Sequence, residues 1–188
     1  DDGQYAVKTT WYRGMDVPGM VIDADALGQP TAYRMVNTGD MDGMAISFKV
    51  DGIGDGINDF LDETTLFASY AMSKTHPGDE TKTSPDMQGG TVTVNTGMLG
   101  STDSETGNSI WIGAVMPNMT GGKFGLEYNK GSEHWKAFTY GEDTMVGSKL
   151  NTRGSAIEAY WTQPLIDDSF SMQVRYTQIN YDYSGSNG

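Results

Sequence analysis

The densest run of potential metal ligands in this sequence is Asp51-Gly52-Ile53-Gly54-Asp55-Gly56-Ile57-Asn58-Asp59-Phe60-Leu61-Asp62-Glu63. Calcium is bound by several oxygens at once, and a calcium loop supplies them at fixed positions around a Gly that makes the sharp turn. Counting from Asp51 sets Asp51, Asp55, Asp59 and Asp62 at ligand positions and Gly56 at the turn. Ile53 falls on a ligand position that it cannot serve, and Asp62 is shorter than the bidentate Glu that closes such loops. The run is therefore read first as a glycine-rich solvated turn with a helical turn around Phe60 and Leu61, since Asp and Gly are what turns require. Calcium is the only cofactor it suggests, and only if the four Asp converge.

Other chemistry is thinner. Met41 with Met44 and Met116 with Met119 could offer soft sulfur to Cu(I), but Met44 and Met116 fall on apolar faces where Met serves as a gap filler. Ser, His and Asp are all present without a Gly-x-Ser-x-Gly elbow, so no enzyme is expected. Lys8, Lys49, Lys123, Glu127, Glu158 and Arg175 are of more interest. Each is a charged residue alternating with apolar ones, and inside a hollow sheet such groups would line water and set the field along it.

The elements that would hold those side chains must come from a chain of 188 residues with no Cys, two His, and 25 acidic against 12 basic residues. The net charge of −13, with basic residues scattered singly, argues against a nucleic-acid partner. Lack of Cys removes disulfides and Cys-ligated zinc. No apolar run is long enough for a membrane helix, but a barrel strand needs only about 10 residues, every second one apolar. The chain opens at Asp1-Asp2-Gly3, with neither initiator Met nor signal peptide, and is read as mature, processed or excised from something longer.

Alternation with period 2 recurs along most of the chain. The apolar faces are Tyr5, Val7 and Trp11; Met44, Ile46, Phe48 and Val50; and Leu66, Ala68, Tyr70 and Met72. They continue with Ile110, Ile112, Ala114 and Met116, then Phe124, Leu126 and Tyr128, then Ile157, Ala159 and Trp161, and lastly Phe170, Met172, Val174 and Tyr176. Phe67, Trp111 and Val115 intrude on the polar faces. Beyond Tyr176 the apolar set shifts phase to Ile179, Tyr181 and Tyr183, which predicts a bulge or a strand end.

Asn118–Gly122 and Pro164–Asp168 read as tight hairpins. The stretches Gly14–Pro30, His76–Gly90 and Gly141–Gly154 lack a sustained helical period and read as exposed loops. Alternation of short and long connections fits an outer-membrane barrel, as does aromatic placement at strand ends, with Tyr5 and Trp11 on the first strand and Phe170 and Tyr176 on the last. Each pair is separated by about 20 Å along its strand.

The later part of the chain carries a family resemblance. Gly125-Leu126-Glu127-Tyr128-Asn129-Lys130-Gly131-Ser132, Trp135-Lys136-Ala137-Phe138-Thr139-Tyr140-Gly141-Glu142-Asp143-Thr144, Gly147-Ser148-Lys149-Leu150, Thr152-Arg153-Gly154 and Asp182-Tyr183-Ser184-Gly185-Ser186-Asn187-Gly188 follow in order. Together they resemble the C-terminal end of porin-like outer-membrane proteins of uncharacterised function from Gram-negative bacteria. That resemblance implies a longer polypeptide with a signal peptide and a terminal aromatic, of which residues 1–188 are the C-terminal portion of one barrel domain.

The expectation is therefore an all-β protein, an antiparallel up-and-down transmembrane β-barrel segment with long extracellular loops. It would sit in the bacterial outer membrane with the lipid bilayer and small polar solutes as partners. Seven or so strands do not close a wide pore, so the barrel would be completed by the remainder of the same polypeptide or by a homo-oligomer. The alternative is a secreted or surface-exposed β-rich binding or structural protein, calcium-stabilised through Asp51–Asp62.

Overall fold

A computed structural model describes residues 4–53, 56–137, 148–166 and 169–183. The structure is all-β with antiparallel pairing. Seven long strands form one sheet: β1 (Tyr5–Gly14), β4 (Gly39–Asp51), β5 (Thr65–Pro77), β8 (Thr106–Pro117), β9 (Lys123–Gly131), β10 (Gly154–Ile166) and β11 (Phe170–Tyr181). Their order in the sheet is their order in the chain, a meander, and among the described residues the sheet does not close into a barrel. Two-stranded ribbons occupy two of the long connections, β2 (Pro18–Ala24) with β3 (Pro30–Asn37) and β6 (Thr81–Pro85) with β7 (Thr91–Asn95).

Connections alternate in kind around the meander. The links after β1, β5 and β9 are long, and those after β4, β8 and β10 are shorter. Asn118–Gly122 is the tight hairpin expected: the Asn118 carbonyl side chain accepts from the backbone N–H of Thr120 and Gly122, the local bonding that makes Asn a turn former. The link after β4 holds one helical turn, α1 (Asp59–Asp62), capped by the Asn58 side chain accepting from the Leu61 N–H at 2.9 Å. This is the turn expected around Phe60 and Leu61.

Three local expectations are corrected. Residues 14–30 and 76–90 are not wholly loops, because they contribute β2, β6 and part of the paired ribbons; their strands are short and polar enough that no period stands out. The phase shift after Tyr176 is not a bulge, and the strand end comes only at Tyr181, short of Tyr183. β11 runs unbroken to Tyr181 with Ala156 opposite Ile179 and Gly154 opposite Tyr181, and the register shift lies instead at Pro164–Ile166. Ile179 and Tyr181 simply share the face of Arg175 and Thr177.

The chain forms two compact units. One comprises Tyr12–Gly43 and Ser73–Thr106, with the two ribbons. There the Arg34 guanidinium meets Asp23 at 2.8 Å and donates to the Thr81 carbonyl at 2.8 Å, while Asp23 also accepts from the Thr83 N–H at 2.7 Å. Asp23 and Arg34 thus fasten one ribbon to the other. Val21, Met41 and Met98 are the buried apolar side chains of this unit among the described residues.

The other unit holds the first part of the chain to Trp11, Met44–Met72 and the stretch from Gly107 onward. Its side chains are sorted against the usual rule. Ile110, Ile112, Phe124, Leu126, Ile157 and Trp161 are exposed. Ser109, Glu127, Asn129, Ser148, Lys149, Thr152 and Glu158 are buried, alongside only Trp135 and Ala156 among described apolar residues. β9 shows this most clearly, alternating exposed Phe124, Leu126, Tyr128 and Lys130 with buried Gly125, Glu127, Asn129 and Gly131. A globule in water hides apolar surface and pays the desolvation of polar groups only rarely; this sheet does the opposite.

Candidate functional site

The buried polar face of β8, β9, β10 and β11 is the candidate site. Register brings its charges together. In the β9–β10 pairing Glu127 stands directly opposite Glu158, and in the β10–β11 pairing Glu158 stands opposite Thr177. Like charges directly opposite on one face repel, and burial strengthens that repulsion by excluding water. The arrangement persists because a cation sits between them: Lys149 Nζ lies 2.7 Å from Glu127 Oε2 and 2.6 Å from Glu158 Oε1. Remaining carboxylate oxygen capacity is met by the Trp111 indole N–H donating to Glu127 at 2.9 Å and the Thr177 hydroxyl donating to Glu158 at 2.7 Å. Arg175 adds a second cation 3.5 Å from Glu158, and its guanidinium lies 5.7 Å from the centre of the Tyr160 ring.

Lys149 comes from the long link between β9 and β10, not from a strand. It opens a single 3-10 turn, Lys149–Asn151, that folds onto the polar face. Asn129 donates from its side-chain amide to the Lys149 carbonyl at 2.6 Å and accepts from Ser109 at 3.0 Å. The Trp135 indole donates to the Leu150 carbonyl at 2.7 Å, and the Thr152 hydroxyl to the Ser148 carbonyl at 3.0 Å. Gly131 makes room for this: a Cβ there would run into the Thr152 carbonyl.

Aromatic rings fill the rest of the face where glycines leave space. Tyr160 stands opposite Gly125 in the β9–β10 pairing, and its ring lies where a Cβ on Gly125 would project. Phe67 lies likewise over Gly113 and packs against Trp111 with ring centres 4.7 Å apart at 55°, a tilted geometry favourable to aromatic pairs. Phe67 and Trp111 are the rings that interrupt the polar faces in sequence, and the structure packs them against each other there.

The six strand charges expected to share a function fall into two groups. Glu127, Glu158 and Arg175 meet. Lys8, Lys49 and Lys123 do not join them: Lys8 and Lys123 are exposed, and Lys49 pairs with Asp51 at 2.6 Å. Of the proposed calcium ligands, Asp55 lies outside the described residues. Asp51 is engaged by Lys49 and by the Thr65 hydroxyl at 2.7 Å, while Asp59 and Asp62 belong to α1. Among the described residues no group of three or more His, Cys, Asp or Glu is placed to hold a metal ion.

Lys149 is the site residue that sequence reading misses. The stretch Gly141–Gly154 reads as exposed loop, yet Ser148, Lys149 and Thr152 are buried. A lysine in an aperiodic polar stretch carries no mark of burial; the one available hint is that two strand carboxylates, Glu127 and Glu158, interrupt faces that otherwise need no charge.

A family model described as protein of unknown function (DUF3373) matches residues 1–188, and the chain belongs to that family. No curated protein and no solved structure matches it.

Proposed function

We propose that this DUF3373 member is part of a porin-like outer-membrane β-barrel that lets ions or small polar solutes pass passively. The reading rests on one observation: the sheet exposes Ile110, Ile112, Leu126, Ile157 and Trp161 and buries Ser109, Glu127, Asn129, Lys149 and Glu158. Contiguous apolar surface facing out, with polar groups facing in, is unfavourable in water and favourable where hydrocarbon surrounds the sheet and water fills it. The exposed aromatics Tyr5 and Phe170, the first residues of β1 and β11, suit a bilayer interface, whereas Trp11 and Tyr176, expected at strand ends, lie within their strands.

Dimensions support a thin apolar band. From Ile110 to Met116 or from Met44 to Val50 the outward set spans about 20 Å of strand, and tilt reduces this below the ~25 Å of a usual barrel. At one edge of the band the same faces turn polar, as at Lys130 after Tyr128 and Ser155 before Ile157. Seven strands do not enclose a wide water-filled pore, so further strands, from the same polypeptide or from a second copy, complete the cylinder.

The mechanism is then steric and electrostatic. Width limits solute size, and Glu127, Glu158 and Arg175, with Lys8, Lys49 and Lys123 toward the strand ends, bias which charges pass. Planar-bilayer recording of the full-length protein tests the reading. Stepwise conductance after detergent-mediated insertion is the expected result. A protein that stays monodisperse in buffer without detergent, and leaves bilayers silent, overturns it.

A further inference from the structure

We infer that Lys149 is the residue that sets the charge selectivity of the passage, an inference that rests on the conduit reading above. The strands alone present an acidic site, because Glu127 and Glu158 face each other across one register position. Arg175 is the strand cation beside them among the described residues, at 3.5 Å from Glu158, so without a further base that wall would carry a net negative charge and favour cations. The link between β9 and β10 changes this. Its Lys149 ammonium lies within 2.7 Å of both carboxylates, so among the described residues of this cluster two acids are matched by two bases.

The position is built rather than incidental. Lys149, Glu127 and Glu158 side chains are 7%, 9% and 3% exposed, so bulk ions screen them weakly. The turn carrying Lys149 is held from three sides, by Asn129 on its carbonyl, Trp135 on the Leu150 carbonyl, and the Thr152 hydroxyl on the Ser148 carbonyl. A surface lysine that reached an acid by chance would need no such seating. The same turn also occupies space on the polar face, so Ser148–Thr152 narrows the water-filled region as well as neutralising it.

The test is the reversal potential of the full-length protein in planar bilayers under a KCl gradient. Lys149→Met is expected to shift the cation-to-anion permeability ratio severalfold toward cations, and Lys149→Arg to leave it near the starting value. Glu158→Gln, which keeps the lysine, is expected to shift the ratio toward anions, so a Lys149→Met protein that fails to fold still leaves a variant that decides the matter. Lys149→Met combined with Glu158→Gln, which leaves one acid, Glu127, and one base, Arg175, is expected to return the ratio toward the parent. A conducting parent whose selectivity is unmoved by Lys149→Met or by Glu158→Gln overturns the inference and leaves the conduit standing. A parent that never conducts overturns both.

Discussion

Glu127 and Glu158 occupy directly opposed positions on neighbouring strands, and the Lys149 ammonium joins them at 2.7 and 2.6 Å. Removing one partner from a buried ionic cluster leaves charge without compensation, which costs about 3–5 kcal/mol. Lys149→Met is therefore expected to lower the stability of the detergent-folded protein by about 3 kcal/mol or more. Replacing both carboxylates with Gln in the same chain is expected to restore most of the loss. Urea unfolding followed by tryptophan fluorescence measures both, and equal stability of Lys149→Met and parent would contradict the pairing.

The Tyr160 ring over Gly125 makes a second prediction. A Cβ at Gly125 projects into that ring, and side chains forced into filled space cost about 1–3 kcal/mol. Gly125→Val should destabilise by that order, and Gly125→Val with Tyr160→Ala should be less unstable than the sum of the separate changes. Strict additivity in a double-mutant cycle would mean the ring does not depend on the glycine.

The four tryptophans sort by surroundings. Trp11 and Trp161 are exposed on the apolar face, Trp135 is buried, and Trp111 donates to Glu127 on the polar face. In bilayers containing brominated lipid, single-tryptophan variants retaining Trp161 should be strongly quenched and those retaining Trp111 weakly. Equal quenching removes the sidedness on which the conduit reading depends.

Leu126→Arg probes the same face energetically. Near the middle of a bilayer an outward Arg costs a barrel about 2–4 kcal/mol, so folding into lipid vesicles should be impaired by that order. On a sheet surrounded by water, replacement of exposed Leu126 by Arg would instead raise solubility with little change in stability. Fractional folding into vesicles across a urea series separates the outcomes.

Acid should loosen the ribbons through Asp23. The Arg34 guanidinium, and after it the Thr83 N–H, hold its carboxyl below the usual aspartate range. A depressed folded-state pKa means the contribution is complete above the ordinary aspartate value and is lost as pH falls through the lower one. Exchange of the Thr83 amide hydrogen should stay protected through mildly acidic pH and lose protection below the ordinary aspartate range. Asp23→Asn should abolish that dependence, and a parent whose Thr83 protection never varies with acid would refute the linkage.

Much of the fold is legible in the residues. Each of the seven period-2 segments, from Tyr5–Trp11 to Phe170–Tyr176, lies in a long strand of the sheet, because alternation is a local property that any extended segment must express. Asn118–Gly122 and the turn at Phe60 and Leu61 are likewise local, resting on an Asn side chain that bonds to its own backbone. Alternation also assigned Glu127, Glu158 and Arg175 to the faces opposite Leu126, Ile157 and Val174.

Period 2 defines two faces without saying which is buried, and that choice needs the whole sheet. Only the tertiary structure exposed Leu126 and Ile157 while enclosing Glu127 and Glu158, since burial depends on what neighbouring strands and links cover. Only register placed the two carboxylates opposite each other, because pairing is a relation between segments 31 residues apart. Lys149 was decided entirely at this level: its turn has no period of its own, and its partners are two carboxylates that only the pairing of β9 with β10 sets side by side.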